Sequence, residues 1–259
     1  MDNNKIIIAF DLYGTLLSTE SIADELANHV GEEHAVELAA LWRRYQLEYT
    51  WRINSMGTYR PFNTLTQSAL EHAAAELNLA LSPGASTKVM AAYNSLEEFD
   101  DVDGALDIIK GYPPTEAYIF SNGTPDMITS SGNSTTLLKW YSGILKGFVS
   151  VDDVMCYKPD RRAYEHLLRK VGRKGKPETV WLVSSNPFDI VGAVAAGLKA
   201  VWVDRERKGW VDQLGHAIGG LDPTLIVDRA EKAVWKILRA EGQAIGKLIC
   251  CPDSESDHY

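Results

Sequence analysis

Short, largely apolar runs of four or five residues alternate with longer amphipathic segments along most of the chain. Apolar runs of this length, bounded by turn-forming residues, predict buried strands, and the segments between them predict helices. The predicted strands are Ile6–Phe10, Ala117–Phe120, Phe148–Val151, Val180–Val183, Ala200–Val203 and Thr224–Val227. The predicted helices around them lie near 104–111, 125–140, 160–172, 187–197 and 229–241. Because strands that alternate with helices form a parallel sheet covered by those helices, we expect an α/β fold with a doubly wound parallel sheet.

Residues 17–99 break this alternation. The segment has few strand signals, and its periodicity predicts helices near 19–30, 33–55, 64–79 and 85–97. We interpret it as a helical cap inserted after the first strand of a Rossmann-like core, so that the core consists of residues 1–16 and 100–241. The remaining residues, 242–259, are polar near their end and are predicted to form a loosely ordered C-terminal tail.

Composition and charge narrow the function classes. The 259 residues carry 26 Lys and Arg against 35 Asp and Glu, a formal net charge of −9, which argues against a nucleic-acid or anionic-membrane partner. The apolar runs are far shorter than the ~20 residues that a membrane span needs. A start without signal-peptide features and only three cysteines favour a cytoplasmic protein. The six histidines lack metal-ligand spacing, and we expect no cofactor.

Polar residues follow three of the predicted strands directly. Asp11–Leu16 follows the first strand, Ser121-Asn122-Gly123 the second and Ser184–Asp189 the fourth, while Tyr157–Asp160 lies where a loop enters a helix. Taken singly, such an Asp is most often a turn or cap residue, Ser-Asn-Gly a turn, and Lys158 a solvated charge. Ligands of open α/β sheets bind outside the carboxyl ends of the strands, so together these residues predict one polar cleft with two carboxylates and one ammonium group.

In this order, the motifs resemble those of the haloacid dehalogenase superfamily. Its D-x-x-x-T, S/T, K and acidic motifs appear as Asp11–Thr15, Ser121-Asn122, Lys158 and Asp189. Narrower features are similar to the type II (S)-2-haloacid dehalogenases over roughly residues 5–240. These features are Asp11–Leu16, the cap stretch 42–51 (WRRYQLEYTW), Ser121-Asn122-Gly123, Tyr157-Lys158-Pro159-Asp160 with Tyr164, and Ser184–Asp189.

The resemblance implies that short L-2-haloalkanoic acids are hydrolysed to D-2-hydroxy acids through an aspartyl ester. Asp11 would be the nucleophile, oriented by Thr15, and Arg43 and Asn122 would bind the departing halide beside an apolar wall that includes Phe188. The substrate carboxylate would meet Ser121, Lys158 and backbone amides near Leu12 and Tyr13. The candidate substrate-facing apolar residues are Tyr13, Leu47 and Phe62.

For the second half of the reaction, the resemblance implies that Asp189 positions and deprotonates a water molecule. Ser184, Asn186, Lys158 and Tyr164 would surround Asp189 in this step. The partners implied are the haloacid and the halide, with a homodimer formed through the cap. Cap aromatics that could form a dimer patch are Trp42, Tyr45, Tyr49 and Trp51, although core packing explains them equally well.

Two positions distinguish this chemistry from that of phosphatases. The second residue after Asp11 is Tyr13, where a phosphatase has an acid that protonates its leaving group, and a halide needs no such proton. Ser185-Asn186 stands where acidic Mg²⁺ ligands are expected, and Asp11 with Asp189 alone makes a poor octahedral site. We therefore expect a metal-independent reaction.

Several residues also have simpler explanations. Arg43 would ordinarily be solvated or in a salt bridge, but Leu47 and Trp51 at i+4 and i+8 give it an apolar face, which favours an enclosed anion. Tyr164, Phe62 and Trp51 are compatible with core packing, and for Trp51 that interpretation is favoured. Asp189 could complement a helix dipole and serve as a base as well.

Three alternative functions remain open, and one segment departs from the family pattern. The alternatives are a hydrolase that opens azetidine-2-carboxylate, a metal-dependent phosphatase, and an inactive dehalogenase-like binding protein. The departure is the polar, Gly-containing segment 129–136, which predicts an interrupted helix after Asn122. Halide-pocket volume also depends on Phe188, whose position holds Trp in some relatives.

Overall fold

The structure is a computed structural model that describes residues 5–134 and 143–242. Its sheet has six parallel strands in the order β3-β2-β1-β4-β5-β6, which confirms the doubly wound α/β fold class. The strands are β1 (Ile6–Asp11), β2 (Thr115–Ser121), β3 (Leu145–Ser150), β4 (Val180–Ser184), β5 (Lys199–Val203) and β6 (Leu225–Val227). Each contains or overlaps a predicted strand.

The central strand β1 pairs with β2 on one side and β4 on the other. Its six residues are all buried, as expected for a parallel strand covered on both faces. Asp11 lies beside Phe120 in the register with β2, and Phe10 lies beside Val183 in the register with β4. The strand ends at Asp11, Ser121 and Ser184 therefore lie next to one another at the same edge of the sheet.

The edge strand β3 differs most from its prediction. It begins at Leu145 rather than Phe148, and residues 146–148 are exposed. An edge strand buries fewer side chains, so the first half of β3 can contain Lys and Gly. It therefore lacks the apolar run by which the sequence predicted the second half.

Helices cover the sheet and fill the segment between β1 and β2. Their bounds are α1 (Ala23–Val30), α2 (Glu32–Ser55), α3 (Phe62–Glu76), α4 (Pro83–Ala92), α5 (Val102–Lys110), α6 (Pro125–Ser134), α7 (Arg161–Lys170), α8 (Pro187–Ala195), α9 (Leu214–Ala217) and α10 (Ala230–Ala240). The long helix α2 packs against α1 and α3. The prediction missed α9, which is barely one turn and too short to show helical periodicity.

The chain leaves and re-enters the core at adjacent points. The Phe99 N–H donates to the Leu16 carbonyl at 3.1 Å, and the Ser18 N–H donates to the Glu97 carbonyl at 2.8 Å. This arrangement is compatible with a cap that spans 17–99, and the domain boundaries themselves stay a prediction. Of the predicted tail, 242–259, all residues but Gly242 lie outside the described residues.

The predicted interruption after Asn122 is wrong for residues 129–134, because α6 runs without a break from Pro125 to Ser134. Ser131 and Gly132 are buried in it, so the small residues serve helix packing. Residues 135 and 136 lie outside the described residues.

Two cap aromatics are buried within the chain itself. Trp42 and Tyr45 belong to the hydrophobic core, so they do not form part of a surface patch. Within the described ranges, no helix is long and apolar enough to span a bilayer.

Candidate active site

The predicted nucleophile, Asp11, is held at the end of β1 by hydrogen-bond donors on both oxygens. Its Oδ1 accepts from Lys158 Nζ at 2.8 Å. Its Oδ2 accepts from Thr15 Oγ1 at 2.9 Å, from the Asn186 side-chain nitrogen at 2.6 Å and, more weakly, from Ser184 Oγ at 3.4 Å. These bonds orient a buried carboxylate and compensate its charge.

The turn after Asp11 depends on a glycine. Gly14 has a φ of +85°, a conformation that side chains other than glycine rarely adopt. A Cβ at this position would make only ordinary van der Waals contacts, 3.5 Å from Asn186 and 3.8 Å from Arg43, so the backbone conformation and not crowding requires the glycine.

Lys158 joins the two carboxylates of the site. Its side chain is fully buried, and Nζ donates to Asp11 Oδ1, Asp189 Oδ2 and the Phe120 carbonyl, each at 2.8 Å. Burial alone would lower the pKa of Lys158, but the two carboxylates outweigh that effect and raise it. The ammonium group therefore stays charged, and its three hydrogens are all used.

Asp189 lies deeper than Asp11 and is fully buried. Its Oδ1 accepts from the Tyr164 hydroxyl at 2.8 Å. Burial raises the pKa of the Asp189 carboxyl, and the Lys158 ammonium only partly offsets this. Burial next to Asp189 also raises the pKa of Tyr164, so its hydroxyl remains a donor.

Arg43 reaches from α2 to the loops that hold Asp11. Its Nη1 donates to Gln46 Oε1 at 2.7 Å, and its Nη2 donates to the Tyr13 carbonyl at 3.1 Å and to Asn186 Oδ1 at 3.2 Å. All three acceptors are neutral, and the structure records no acceptor for Nε among the described residues. The half-buried guanidinium thus has no recorded salt bridge among the described residues, and its positive charge lies beside the site.

The loop after β2 provides further donors. Asn122 Oδ1 accepts from the Lys158 backbone N–H at 3.0 Å, which leaves the Asn122 amide nitrogen without an acceptor among the described residues. Ser121 Oγ accepts from the Gly123 N–H at 3.0 Å and can donate its own proton elsewhere. The backbone N–H groups of Leu12 and Tyr13 likewise have no recorded acceptor in the described part of the chain.

The predicted apolar residues fall into two groups. Leu12, Tyr13 and Phe62 are buried in the core, where the Tyr13 and Phe62 rings lie 5.8 Å apart. Leu47 and Phe188 are only half-buried and lie outside that core. The core interpretation of Trp51 is wrong, because Trp51 is 40% exposed and packs edge-on against Phe188 at 5.5 Å.

Two predicted roles need correction. Ser184 and Asn186 contact Asp11 rather than surrounding Asp189, because the loop after β4 folds back over the end of β1. Lys158 has no hydrogen left to offer a substrate carboxylate while Asp11, Asp189 and Phe120 hold all three.

Sequence reasoning missed Arg205, which follows β5. Its guanidinium forms a two-point salt bridge with buried Asp101 at 2.7 and 2.9 Å and donates to Ser185 Oγ at 3.0 Å and to the Thr15 carbonyl at 2.8 Å. Asp11 was identified because ligands of open α/β sheets bind outside the carboxyl ends of the strands, which we call the strand-end rule. The same rule applies to Arg205 and could have found it.

A second missed contact joins α2 to the loop that carries Lys158. The Asn54 side chain pairs with the backbone of Tyr157, accepting from its N–H at 2.9 Å and donating to its carbonyl at 2.7 Å. Its position near the end of a long helix gave no signal of such a partner.

The oxygens at and near Asp11 are not available to bind Mg²⁺ as the related phosphatases do. Asp11 Oδ2 and the Tyr13 carbonyl both accept from the Asn186 side-chain nitrogen, at 2.6 and 3.0 Å, and Arg43 donates to the same carbonyl. A divalent cation needs several free oxygens, whereas N–H donors occupy these. Within residues 5–134 and 143–242, no group of three His, Cys, Asp or Glu could hold a metal ion.

Comparisons with known proteins agree with this geometry. The model of a family described as haloacid dehalogenase-like hydrolases matches residues 7–197. (S)-2-Haloacid dehalogenase 1 from Pseudomonas sp. (strain CBS-3) is 35% identical over 199 residues, which cover 77% of this chain and 84% of that protein. (S)-2-Haloacid dehalogenase 4A from Burkholderia cepacia is 34% identical over 197 residues, 76% of this chain and 82% of that protein.

A solved structure agrees as well. The L-2-haloacid dehalogenase from Xanthobacter autotrophicus, with chloropropionic acid covalently bound, superimposes with a TM-score of 0.77 at 25% identity and covers 91% of this chain and 98% of that one. Family model, relatives and site agree, and the chain therefore belongs to the haloacid dehalogenase-like hydrolases, as a member of their (S)-2-haloacid dehalogenase group.

Proposed function

We propose that the protein hydrolyses short L-2-haloalkanoic acids to D-2-hydroxy acids through an ester on Asp11. The observation that carries the proposal is the pair of buried carboxylates, Asp11 and Asp189, which share the single ammonium group of Lys158. One carboxylate can attack carbon while the other accepts a proton, which is the division of labour that a two-step hydrolysis needs.

In the first step, an Asp11 oxygen attacks C2 of the substrate. A C–O bond forms as the carbon–halogen bond breaks, and the halide leaves with the bonding electrons from the opposite side. The free N–H groups on Arg43 Nε and the Asn122 side chain can receive the developing negative charge. Attack from the rear inverts C2, so an L-haloacid becomes a D-configured ester.

The substrate carboxylate needs neutral donors, because Lys158 is already saturated. The Ser121 hydroxyl and the backbone N–H groups of Leu12 and Tyr13 have hydrogens available near Asp11. We assign the carboxylate to these groups. Leu47 and Phe188, which lie outside the core, suit the contact with the short alkyl chain and the halogen.

In the second step, water attacks the carbonyl carbon of the Asp11 ester. Esterification removes the Asp11 charge, so Lys158 then pairs with Asp189 alone. Burial, the largest cause of the raised pKa of Asp189, persists in the ester, and the Asp189 carboxylate takes a proton of the attacking water. The ester bond to Asp11 breaks, and the leaving alkoxide takes up one proton to give the D-2-hydroxy acid. The other proton of the water passes to solvent, and Asp11 and Asp189 return as carboxylates.

The covalent scheme also draws support from the relatives. The Xanthobacter dehalogenase structure contains covalently bound chloropropionic acid, and the Pseudomonas and Burkholderia relatives are named for haloacids. The scheme further includes a homodimer, which rests on sequence resemblance, and a cytoplasmic location, which rests on the small number of cysteines.

The direct test measures halide release from racemic 2-chloropropionate and 2-bromopropionate with EDTA present. In parallel it measures turnover of azetidine-2-carboxylate and, with Mg²⁺ in place of EDTA, of a generic phosphate ester. We expect halide release that stops when the L-enantiomer is consumed, with D-lactate as the product. Asp11→Asn is the matched control and should release none. Turnover of only the azetidine or only the phosphate ester would replace the proposal with that alternative, and no turnover of any would favour a binding protein.

A further inference from the structure

Three polar side chains of the cap are buried among aromatic rings of the cap and of the loop after β1. Gln46 on α2 and Thr66 on α3 are fully buried, and Tyr93 is 3% exposed. The rings of Trp42 and Tyr13 lie 5.1 and 5.4 Å from that of Tyr93. Polar groups in such surroundings cost stability unless their hydrogen bonds are satisfied.

The side-chain amide of Gln46 uses its full hydrogen-bonding capacity. Its nitrogen donates to Thr66 Oγ1 at 2.8 Å and to the Tyr93 hydroxyl at 3.0 Å. Its oxygen accepts from Arg43 Nη1 at 2.7 Å and from the Tyr93 hydroxyl at 3.1 Å. Two donors and two acceptors are all that an amide offers.

The network fixes which end of the amide faces Arg43. The Thr66 hydroxyl donates its proton to the Phe62 carbonyl at 2.7 Å, so toward Gln46 it can only accept. The Gln46 nitrogen must therefore point at Thr66, which turns the oxygen toward the guanidinium.

The charge of this acceptor matters as much as its position. Every recorded hydrogen bond of Arg43 ends on a neutral oxygen, from Gln46, Tyr13 or Asn186. A carboxylate in place of the Gln46 or Asn186 amide would also hold the guanidinium but would cancel its charge. A neutral acceptor fixes Arg43 and leaves the charge for an incoming anion.

We propose that Gln46 is a positioning residue that holds Arg43 with a neutral amide oxygen so that its full positive charge stays available to the departing halide. The inference rests on the proposed function for the identity of the anion. It does not require Gln46 to touch the substrate.

The test compares two substitutions of nearly equal volume. Gln46→Glu places a carboxylate against Arg43, and Gln46→Met removes the acceptor but leaves the charge. The matched control is Gln67→Glu, which adds the same charge at an exposed position of α3. Steady-state kcat and KM are measured with L-2-chloropropionate and L-2-bromopropionate, and thermal unfolding is followed with and without bromide.

We expect Gln46→Glu to lower kcat for chloropropionate by about ten- to a hundredfold, and for bromopropionate by less, because the poorer leaving group needs the charge more. Bromide should raise the Tm of the wild type and of Gln67→Glu but not that of Gln46→Glu. Gln46→Met should lose less activity than Gln46→Glu and keep its response to bromide.

Other outcomes would overturn the inference in distinct ways. If both Gln46 variants lose kcat equally for the two halides and still respond to bromide, Gln46 only supports packing. If the wild type releases no halide, the proposed function fails, and the bromide measurement still decides whether Gln46 controls anion binding at Arg43. The inference is rejected if bromide does not change the Tm of the wild type and if Gln46→Glu leaves the ratio of kcat for chloropropionate to kcat for bromopropionate unchanged.

Discussion

The side-chain nitrogen of Asn186 donates to Asp11 Oδ2 at 2.6 Å. The same nitrogen donates to the Tyr13 carbonyl at 3.0 Å. An amide thereby satisfies two oxygens that could otherwise serve as ligands of a hard cation. Asn186 thus holds the Asp11 carboxylate with a neutral donor, and the carboxylate keeps its negative charge for attack on carbon.

The first prediction is that dehalogenation needs no metal. Exhaustive chelation followed by removal of the chelator should leave kcat and KM for L-2-bromopropionate unchanged, because N–H donors already occupy the oxygens near Asp11. Halide release is measured before and after chelation. A rate that is lost and then restored by Mg²⁺ alone would contradict the prediction.

The second prediction concerns the origin of the product oxygen. In a single turnover in H₂¹⁸O with enzyme in excess, the heavy isotope should enter the Asp11 carboxylate and not the hydroxy acid, because water attacks the ester carbonyl. Mass spectrometry of the peptide that contains Asp11 and of the product checks this. Label found directly in the product would show that water attacks C2.

The strand-end rule predicts much of the site because it requires only an apolar run and the polar residue that follows it. An apolar run followed by Asp11, Ser121 or Ser184 is visible in the sequence, and a parallel register then brings the strand ends together. Lys158 does not follow a strand, and taken singly a lysine in front of a proline is ordinarily solvated. Its place where a loop enters a helix, together with the other polar segments, predicted it in the cleft, and the structure places its ammonium between Asp11 and Asp189.

The remaining features depend on partners that lie far apart in the chain. Gln46 and Thr66 look like ordinary polar positions on two helices, yet packing buries both and joins them by a hydrogen bond. Arg205 contacts the Thr15 carbonyl, 190 residues away. Trp51 fits the apolar face of α2 by periodicity but is 40% exposed, because helical periodicity does not reveal where the neighbouring core ends.

The third prediction concerns Asp189 as the proton acceptor. Because burial raises its pKa, deacylation should fail on the acid side at a higher pH than for an ordinary aspartate. As the pH falls through that pKa, the carboxyl takes up a proton and can no longer accept one from water. In the free enzyme the two carboxylates share Lys158, so the acid limb of kcat/KM belongs to the pair. Where deacylation limits turnover, the acid limb of kcat belongs to Asp189, because Asp11 is then an uncharged ester.

Asp189→Asn provides the control for this assignment. It should release one equivalent of halide in a burst and then stop, with the ester on Asp11 accumulating and steady-state kcat lower by roughly 10²–10⁴-fold. Rapid quench and intact-protein mass spectrometry detect the ester. If Asp189→Asn loses the burst as well, Asp189 is needed for the first step.

The fourth prediction is a homodimer. Trp42 and Tyr45 are buried within the chain, so the aromatic argument for a cap interface now rests on the half-buried Tyr49 and the exposed Trp51. Light scattering at low protein concentration should give twice the chain mass of 28.7 kDa. A value near the chain mass would reject the dimer.

The last prediction assigns halide stabilisation to Arg43. Negative charge grows on the halogen during displacement, so a fixed guanidinium stabilises the transition state more than the bound substrate. Arg43→Ala should therefore lower kcat by roughly a hundred- to a thousandfold, about 3–4 kcal/mol, as removal of one oxyanion donor does. Arg43→Lys should recover only part of the rate, because an ammonium group cannot reach Gln46, Tyr13 and Asn186 together.

The dependence on the leaving group separates this role from substrate binding. Chloride is the poorer leaving group and concentrates more charge, so Arg43→Ala should slow chloropropionate more than bromopropionate, with KM little changed. If Arg43 instead bound the substrate carboxylate, both rates would fall equally and KM would rise, because the carboxylate does not change between the two substrates. Steady-state kinetics with the two L-enantiomers distinguish the cases, and the second pattern would transfer halide binding from Arg43 to Asn122.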